Sequence, residues 1–262
     1  MHYLVENNKM KNGYEIIDKK NNKYLEQLNL LVKKLIKKKH PSFSSELSEL
    51  HKFVSLKEVN ALRLYIFNYI NNRFKWEMNI SKLCGDDLKN YLGQDILVQS
   101  KINLSIQMPN DKSSILSAHS DCWSSDSPFQ LNLWIPLTNA YESNSMFIWS
   151  KKQSLNLMKK ISNDDFYQLS PSRLKASKDQ FIKIFFGEIL LFNPALIHGN
   201  ILNKTNQTRI SLNLRFKSLF SPEPTKKNPD RKFGTYYKKF CLSENTRFAV
   251  QMIESGIFNE DN

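Results

Sequence analysis

The chain has 262 residues, a formal net charge of +13, and 40% apolar and 12% aromatic side chains, enough to bury a sizeable core and too apolar to stay disordered. Its three cysteines are odd in number and lack metal-ligand spacing, which excludes a disulfide-framed secreted scaffold and fits a reducing compartment. The opening MHYLVENNKMKNG has no apolar signal core, and no apolar run reaches the roughly 18 to 20 residues that cross a bilayer, so a cytoplasmic protein without a transmembrane segment is expected.

Residues 1–96 read as a helical region packed on the core. In KYLEQLNLLVKKLIKKKH, Leu25, Leu28, Val32 and Leu35 recur at helical spacing beside Lys33, Lys34, Lys37 and Lys38. Such a helix can pack its stripe on its own domain or lie on a membrane. His40-Pro41 should end it, because the residue before proline avoids helical geometry. A second helix is expected in SLKEVNALRLYIFNYI, where Ser55 and Glu58 have capping-box spacing.

From about Leu97 the texture changes to short strand-like runs: ILVQSKINLSIQM, FQLNLWIPL, SMFIWS and the two apolar runs of FIKIFFGEILLFNPALIHG. RISLNLRFKS alternates most cleanly, with Arg209, Ser211, Asn213 and Arg215 opposed by Ile210, Leu212, Leu214 and Phe216. Many short strands with few helices between them predict a mainly β core over 97–220, an antiparallel barrel or jelly roll. Residues 151–180 read as a helical or irregular insertion. Residues 221–262 read as a basic loop and a helix after Ser243. The loop's Lys226, Lys227, Arg231 and Lys232 are either a solvated tail or a closure over an anionic substrate group.

Two stretches carry chemistry. SAHSDCW sets His119 two residues before Asp121; taken alone, the pair says little and reads as an ordinary strand end before it reads as a metal site. FNPALIHGNILNKTNQTRISLNL adds His198 at the end of an apolar strand and Arg209 at the start of the next, which can place them across a hairpin. Two imidazoles and a carboxylate with open positions form the facial triad of a non-haem Fe(II) oxygenase. A 2-oxoacid can chelate two open positions and dioxygen can take the third. The far carboxylate of 2-oxoglutarate then needs a cation, which Arg209 can supply, with Ser211 on the same strand face. The competing reading of that face is the solvated side of an edge strand. Cys122 should point away from any metal held by Asp121. His2, His40 and His51 read as surface or packing residues.

His119-Ser120-Asp121, LNLWIPL, Asn144-Ser145-MFIW, GEILLFNPALIHG and Arg209, eleven positions after His198, resemble the iron- and 2-oxoglutarate-dependent dioxygenases of the phytanoyl-CoA dioxygenase superfamily. That superfamily includes ectoine hydroxylases and oxygenases of bacterial carbohydrate clusters. The resemblance, over about 97–217, implies a double-stranded β-helix (jelly-roll, cupin-like) with an N-terminal helical layer. It implies Fe(II) on His119, Asp121 and His198, and 2-oxoglutarate held by Arg209, with Trp134, Gln107, Asn132, Asn200 and Ser211 lining the cosubstrate pocket. Gln99 and Asn103 would face the substrate. The implied reaction consumes dioxygen and hydroxylates a small polar metabolite, a sugar or a carbohydrate precursor, with no specific nucleic-acid partner. Two rival functions are a non-catalytic basic β-barrel that binds sugars or nucleic acid and a membrane-associated lipid-chain hydroxylase.

Overall fold

The computed structural model describes residues 10–124, 126–160, 176–222 and 231–256. Strand β1 (Tyr14–Asp18) precedes three helices, α1 (Lys23–Lys39), α2 (Val59–Arg73) and α3 (Trp76–Leu92). The strand corrects the expectation of helix throughout this segment: YEIID is too short for a helical period, and its backbone bonds go to a distant strand.

Helix α1 begins where the Asn22 side chain accepts the Tyr24 N–H, and it ends at Lys39 with His40 as its cap. Leu25, Leu28, Val32, Leu35 and Ile36 are buried in one cluster with Leu62 and Ile66 of α2, Ile80 and Leu83 of α3, and residues of the sheet described below. Each such side chain contributes about 1.5–3 kcal/mol when fully buried. The apolar stripe of α1 therefore faces its own fold, and the stripe gives no support to a membrane-lying helix. Among the described residues no helix is long and apolar enough to cross a membrane. Ser55 and Glu58 do meet, the carboxylate accepting the Ser55 N–H at 3.0 Å and its hydroxyl at 2.6 Å, with α2 starting at the next residue.

The strands follow: β2 (Ile96–Gln99), β3 (Asn103–Gln107), β4 (Gln130–Pro136) and β5 (Met146–Ile148). After helix α4 (Lys151–Lys160) come β6 (Glu188–Phe192), β7 (His198–Asn200), β8 (Arg209–Ser218) and β9 (Tyr237–Cys241), then helix α5 (Glu244–Glu254). ILVQSKINLSIQM breaks into β2 and β3 because the Ile102 N–H turns to Asn71 Oδ1 of α2 at 2.8 Å. Strand β9 lies inside the segment read as loop and cap. Helix α5 starts directly after Ser243, whose hydroxyl caps it by accepting the Thr246 N–H at 3.3 Å.

One sheet runs β1-β6-β4-β8-β2-β9, with β3 also paired to β8, and β5 pairs β7 in a second; every strand pair is antiparallel. β8 is flanked by β4 on one side and by β3 and β2 on the other. This disfavours the competing reading of its polar face as the solvated side of an edge strand. Ile210, Leu212, Leu214 and Phe216 enter the core shared with the helices. Arg209, Ser211, Asn213 and Arg215 face a cavity that Met146 of β5 and His198 of β7 also line. Trp134, Leu190 and Phe192 of the large sheet pack with Met146 and Ile148 of the small one, closing one side of the space between them.

Candidate metal centre

His119 and His198 are joined by the backbone. Each donates its N–H to the other's carbonyl at 2.9 Å, and their ring centroids lie 4.4 Å apart. Asp121 opens a 3-10 turn, Asp121–Ser124, instead of continuing a strand. Its N–H donates to Pro194 O at 3.0 Å, as does the Ser120 hydroxyl. The NPAL turn before His198 thus fixes where the HSD segment lies.

The ligand atoms of His119, Asp121 and His198 lie within 4.8 Å of one another. Asp121 Oδ1 is 3.5 Å from His119 Nε2 and 3.9 Å from His198 Nε2. Adjacent ligands on an octahedral ion with bonds near 2.1 Å stand about 3 Å apart, so small side-chain movements suffice to hold a metal. Each imidazole is preset for it. His119 Nδ1 bonds Ser117 O and His198 Nδ1 bonds Leu196 O, both at 2.8 Å, leaving the two Nε2 atoms toward Asp121. The Phe192 and His198 rings pack in a T-shaped pair with centroids 5.0 Å apart. Burial pushes His198 down to about 4, which favours the neutral, ligating form. Burial also opposes ionisation of Asp121, but hydrogen bonding with His119 and the charge of Arg215 outweigh it, so the carboxyl titrates well below its ordinary range.

Asn132, on β4, donates to Asp121 Oδ2 at 2.6 Å and accepts from Gln130 Nε2 at 2.8 Å. Gln130 in turn accepts from the buried Tyr237 hydroxyl. Asn132 is thus behind the carboxylate and is not among the residues that line the cavity. Cys122 lies outside the ligand cluster, and burial pushes its thiol up to about 11.

The cavity, about 260 Å³, is lined by Trp134, Asn200, Arg209, Ser211 and Asn103 as well as by the triad. Arg209 is fully buried, yet its contacts are neutral: Gln107 Oε1 at 3.2 Å, Ser211 Oγ at 3.2 Å, Ser105 Oγ at 3.4 Å and the Trp134 ring at 5.6 Å. No acidic side chain among the described residues pairs with it. Burial pushes it down to about 10, still cationic at neutral pH. Gln107 sits behind Arg209, its amide also donating to Ile201 O at 2.7 Å. Asn200 spends its side chain on the backbone of the cavity mouth, accepting the Leu116 N–H at 2.5 Å and donating to Ser114 O at 3.1 Å. Gln99 is buried against Lys101 O and Arg215, and does not line the cavity.

The hairpin expectation for His198 and Arg209 is corrected. β7 pairs with β5 and β8 pairs with β3 and β4, so the two residues reach one cavity from opposite sheets. The crossing segment is held by Asn203, whose amide donates to Gln107 O and Gln207 O. Arg215 and Asp126 were missed as site residues. Arg215 shares the inward face of β8, a signal the alternation carried; nothing local marks Asp126. Lys226 and Lys227 lie outside the described residues, while Arg231 pairs with Asp126 and stacks 5.1 Å from the Tyr236 ring.

No protein-family model matches the chain. It is similar to the streptomycin biosynthesis protein StrG of Streptomyces griseus, 27% identical over 118 residues, which is 45% of this chain and 43% of that protein. The matched stretch thus spans less than half of that relative's length. Among solved structures, it is similar to HygX from Streptomyces hygroscopicus, with nickel and 2-oxoglutarate bound: TM-score 0.50, 13% identity, covering 90% of this chain and 98% of that one. The non-heme monooxygenase ThoJ in its apo form gives a TM-score of 0.47 at 13% identity, over 95% of this chain and 93% of that one. The likeness to HygX establishes a shared fold.

Proposed function

We propose that this chain is an Fe(II)- and 2-oxoglutarate-dependent dioxygenase that hydroxylates a small polar metabolite, a sugar or a carbohydrate-biosynthesis precursor. The observation that carries the reading is Arg209, a buried cation with only neutral partners in the cavity that holds the triad. An unpaired buried charge costs several kcal/mol, which a ligand carboxylate would offset. A 2-oxo diacid has one carboxylate for that guanidinium and a 2-oxoacid end for the metal. The nickel and 2-oxoglutarate in HygX, which shares the fold, support this cosubstrate. The pathway of StrG supports a small-metabolite substrate.

In this reading His119 Nε2, Asp121 Oδ1 and His198 Nε2 hold the iron, which when bound supplies dioxygen activation coupled to conversion of 2-oxoglutarate to succinate and carbon dioxide. The chain's own residues orient and exclude. Ser117 O and Leu196 O fix the imidazole tautomers, Asn132 steadies Asp121, and Trp134 with Arg209 and Ser211 bounds the cosubstrate. Asn103, exposed at the mouth, is the substrate-facing side chain of this reading. The architecture proposed is a double-stranded β-helix core over 97–220, extended at its two sheet edges by β1 and β9, with helices α1 to α3 before it and helix α5 after it.

The test is succinate release from 2-oxoglutarate by the anaerobically Fe(II)-loaded protein, exposed to dioxygen with a panel of sugars, amino sugars and nucleotide sugars. Release should depend on substrate and vanish in His198→Ala. Near-normal release from that variant would sink the proposal.

A further inference from the structure

Asp121 Oδ1 has two claimants. It is the carboxylate oxygen that faces both imidazoles, and it also accepts from Arg215 Nη2 at 3.2 Å. A divalent ion on the triad and the Arg215 guanidinium therefore compete for one atom. A second carboxylate holds the guanidinium back. Asp126, its side chain fully buried, accepts Arg215 Nε on Oδ2 at 2.9 Å and pairs through Oδ1 with Arg231. Arg215 thus stands between two aspartates, and Asp126 between two arginines. One of those arginines comes from the segment leading into β9, remote from the triad in sequence.

We propose that Arg215 sets the metal affinity of the triad by competing for Asp121 Oδ1, and that Asp126, shared with Arg231, sets how strongly it competes. The inference rests on the triad being the metal site. Neutralising Asp126 removes what draws Arg215 away, so the guanidinium turns fully onto Asp121 and the metal is weakened. Removing Arg231 leaves Asp126 to Arg215 alone, so Asp121 is released and the metal is tightened. Arg215 is a positioning residue here, acting through Asp121 without touching the ion. A plain through-space effect of Asp126 on the cation has the same sign, but does not depend on Arg215. That dependence separates the two.

The experiment is calorimetric titration of the full chain with Co(II) alone. Asp126→Asn should weaken binding and Arg215→Gln should tighten it, each by roughly tenfold, the scale on which changing the partner of a ligating carboxylate alters metal affinity. In the Arg215→Gln background, Asp126→Asn should change binding by less than about twofold, because the competitor is already gone. Equal weakening in both backgrounds, or an unchanged or weaker Arg215→Gln, overturns the proposal. If Asp126→Asn does not fold, Arg231→Gln carries the same cycle. It must tighten binding when Arg215 is present and have no effect when it is absent, and any other pattern overturns the inference. Co(II) binding that survives His198→Ala would instead defeat the assignment of the triad. Binding lost in His198→Ala, with flat responses in the charge variants, defeats this inference alone.

Discussion

His119 and His198 are each other's backbone partners, exchanging N–H···O bonds at 2.9 Å, so the imidazoles are placed by a sheet bridge and not by loop flexibility. That bridge needs close passage of the 116–117 backbone over Gly199. A Cβ there would stand 2.7 Å from Leu116 O, 2.9 Å from the Phe147 ring and 3.0 Å from Ser117 C. Two of these neighbours are backbone, and the third is a buried ring. Gly199→Ala should therefore lower stability by about 1–3 kcal/mol, the range for overpacking, and weaken metal binding by displacing His119. Urea denaturation with and without divalent metal measures both; wild-type values for both would contradict this account of the bridge.

The face alternation of β8 was legible because its apolar and polar residues sort onto two chemically distinct surfaces, core and cavity. The triad was legible because its residue types and order are uncommon together. The hairpin placement of His198 and Arg209 was not recoverable from local pattern: a short polar link can turn a strand back or carry it to the opposite sheet. Here Asn203 bonds to Gln107 O and Gln207 O do the latter. β1 and β9 escaped because YEIID and YKKFC mix charge with short apolar content, and their strand character comes from β6 and β2, far away in sequence. The pocket roles expected of Gln107 and Asn132 fell one layer short, since each stands behind the group that faces the cavity.

Arg209 and Arg215 lie six positions apart on one strand face with opposite electrostatic situations. Arg209 has neutral partners, whereas Arg215 is paired with Asp121 and Asp126. Arg209→Met should leave the ligand-free fold as stable as wild type or more so, because it removes an uncompensated buried charge of similar length. It should raise the 2-oxoglutarate requirement more than about tenfold, as loss of a buried charge-assisted contact costs about 2–5 kcal/mol. Arg215→Met should do the reverse, lowering stability while leaving 2-oxoglutarate saturation within about threefold of wild type. Thermal melts and cosubstrate titrations at saturating metal test both. If the two variants exchange these behaviours, Arg215 is the carboxylate anchor.

Asn132 separates a metal role from a cosubstrate role. Its amide donates to Asp121 Oδ2 at 2.6 Å and is itself held by Gln130, which Tyr237 supports from β9. Removing a group that orients a ligating carboxylate typically costs about 10–100-fold in metal affinity. Asn132→Leu, close in size and without the donor, should show that loss in a Co(II) titration. Once the metal is saturating, the 2-oxoglutarate dependence should return to that of wild type, because Asn132 does not line the cavity. Contact with the cosubstrate predicts the opposite: metal affinity near normal and a 2-oxoglutarate requirement that stays high however much metal is added. That pattern would move Asn132 from behind the carboxylate to the pocket wall.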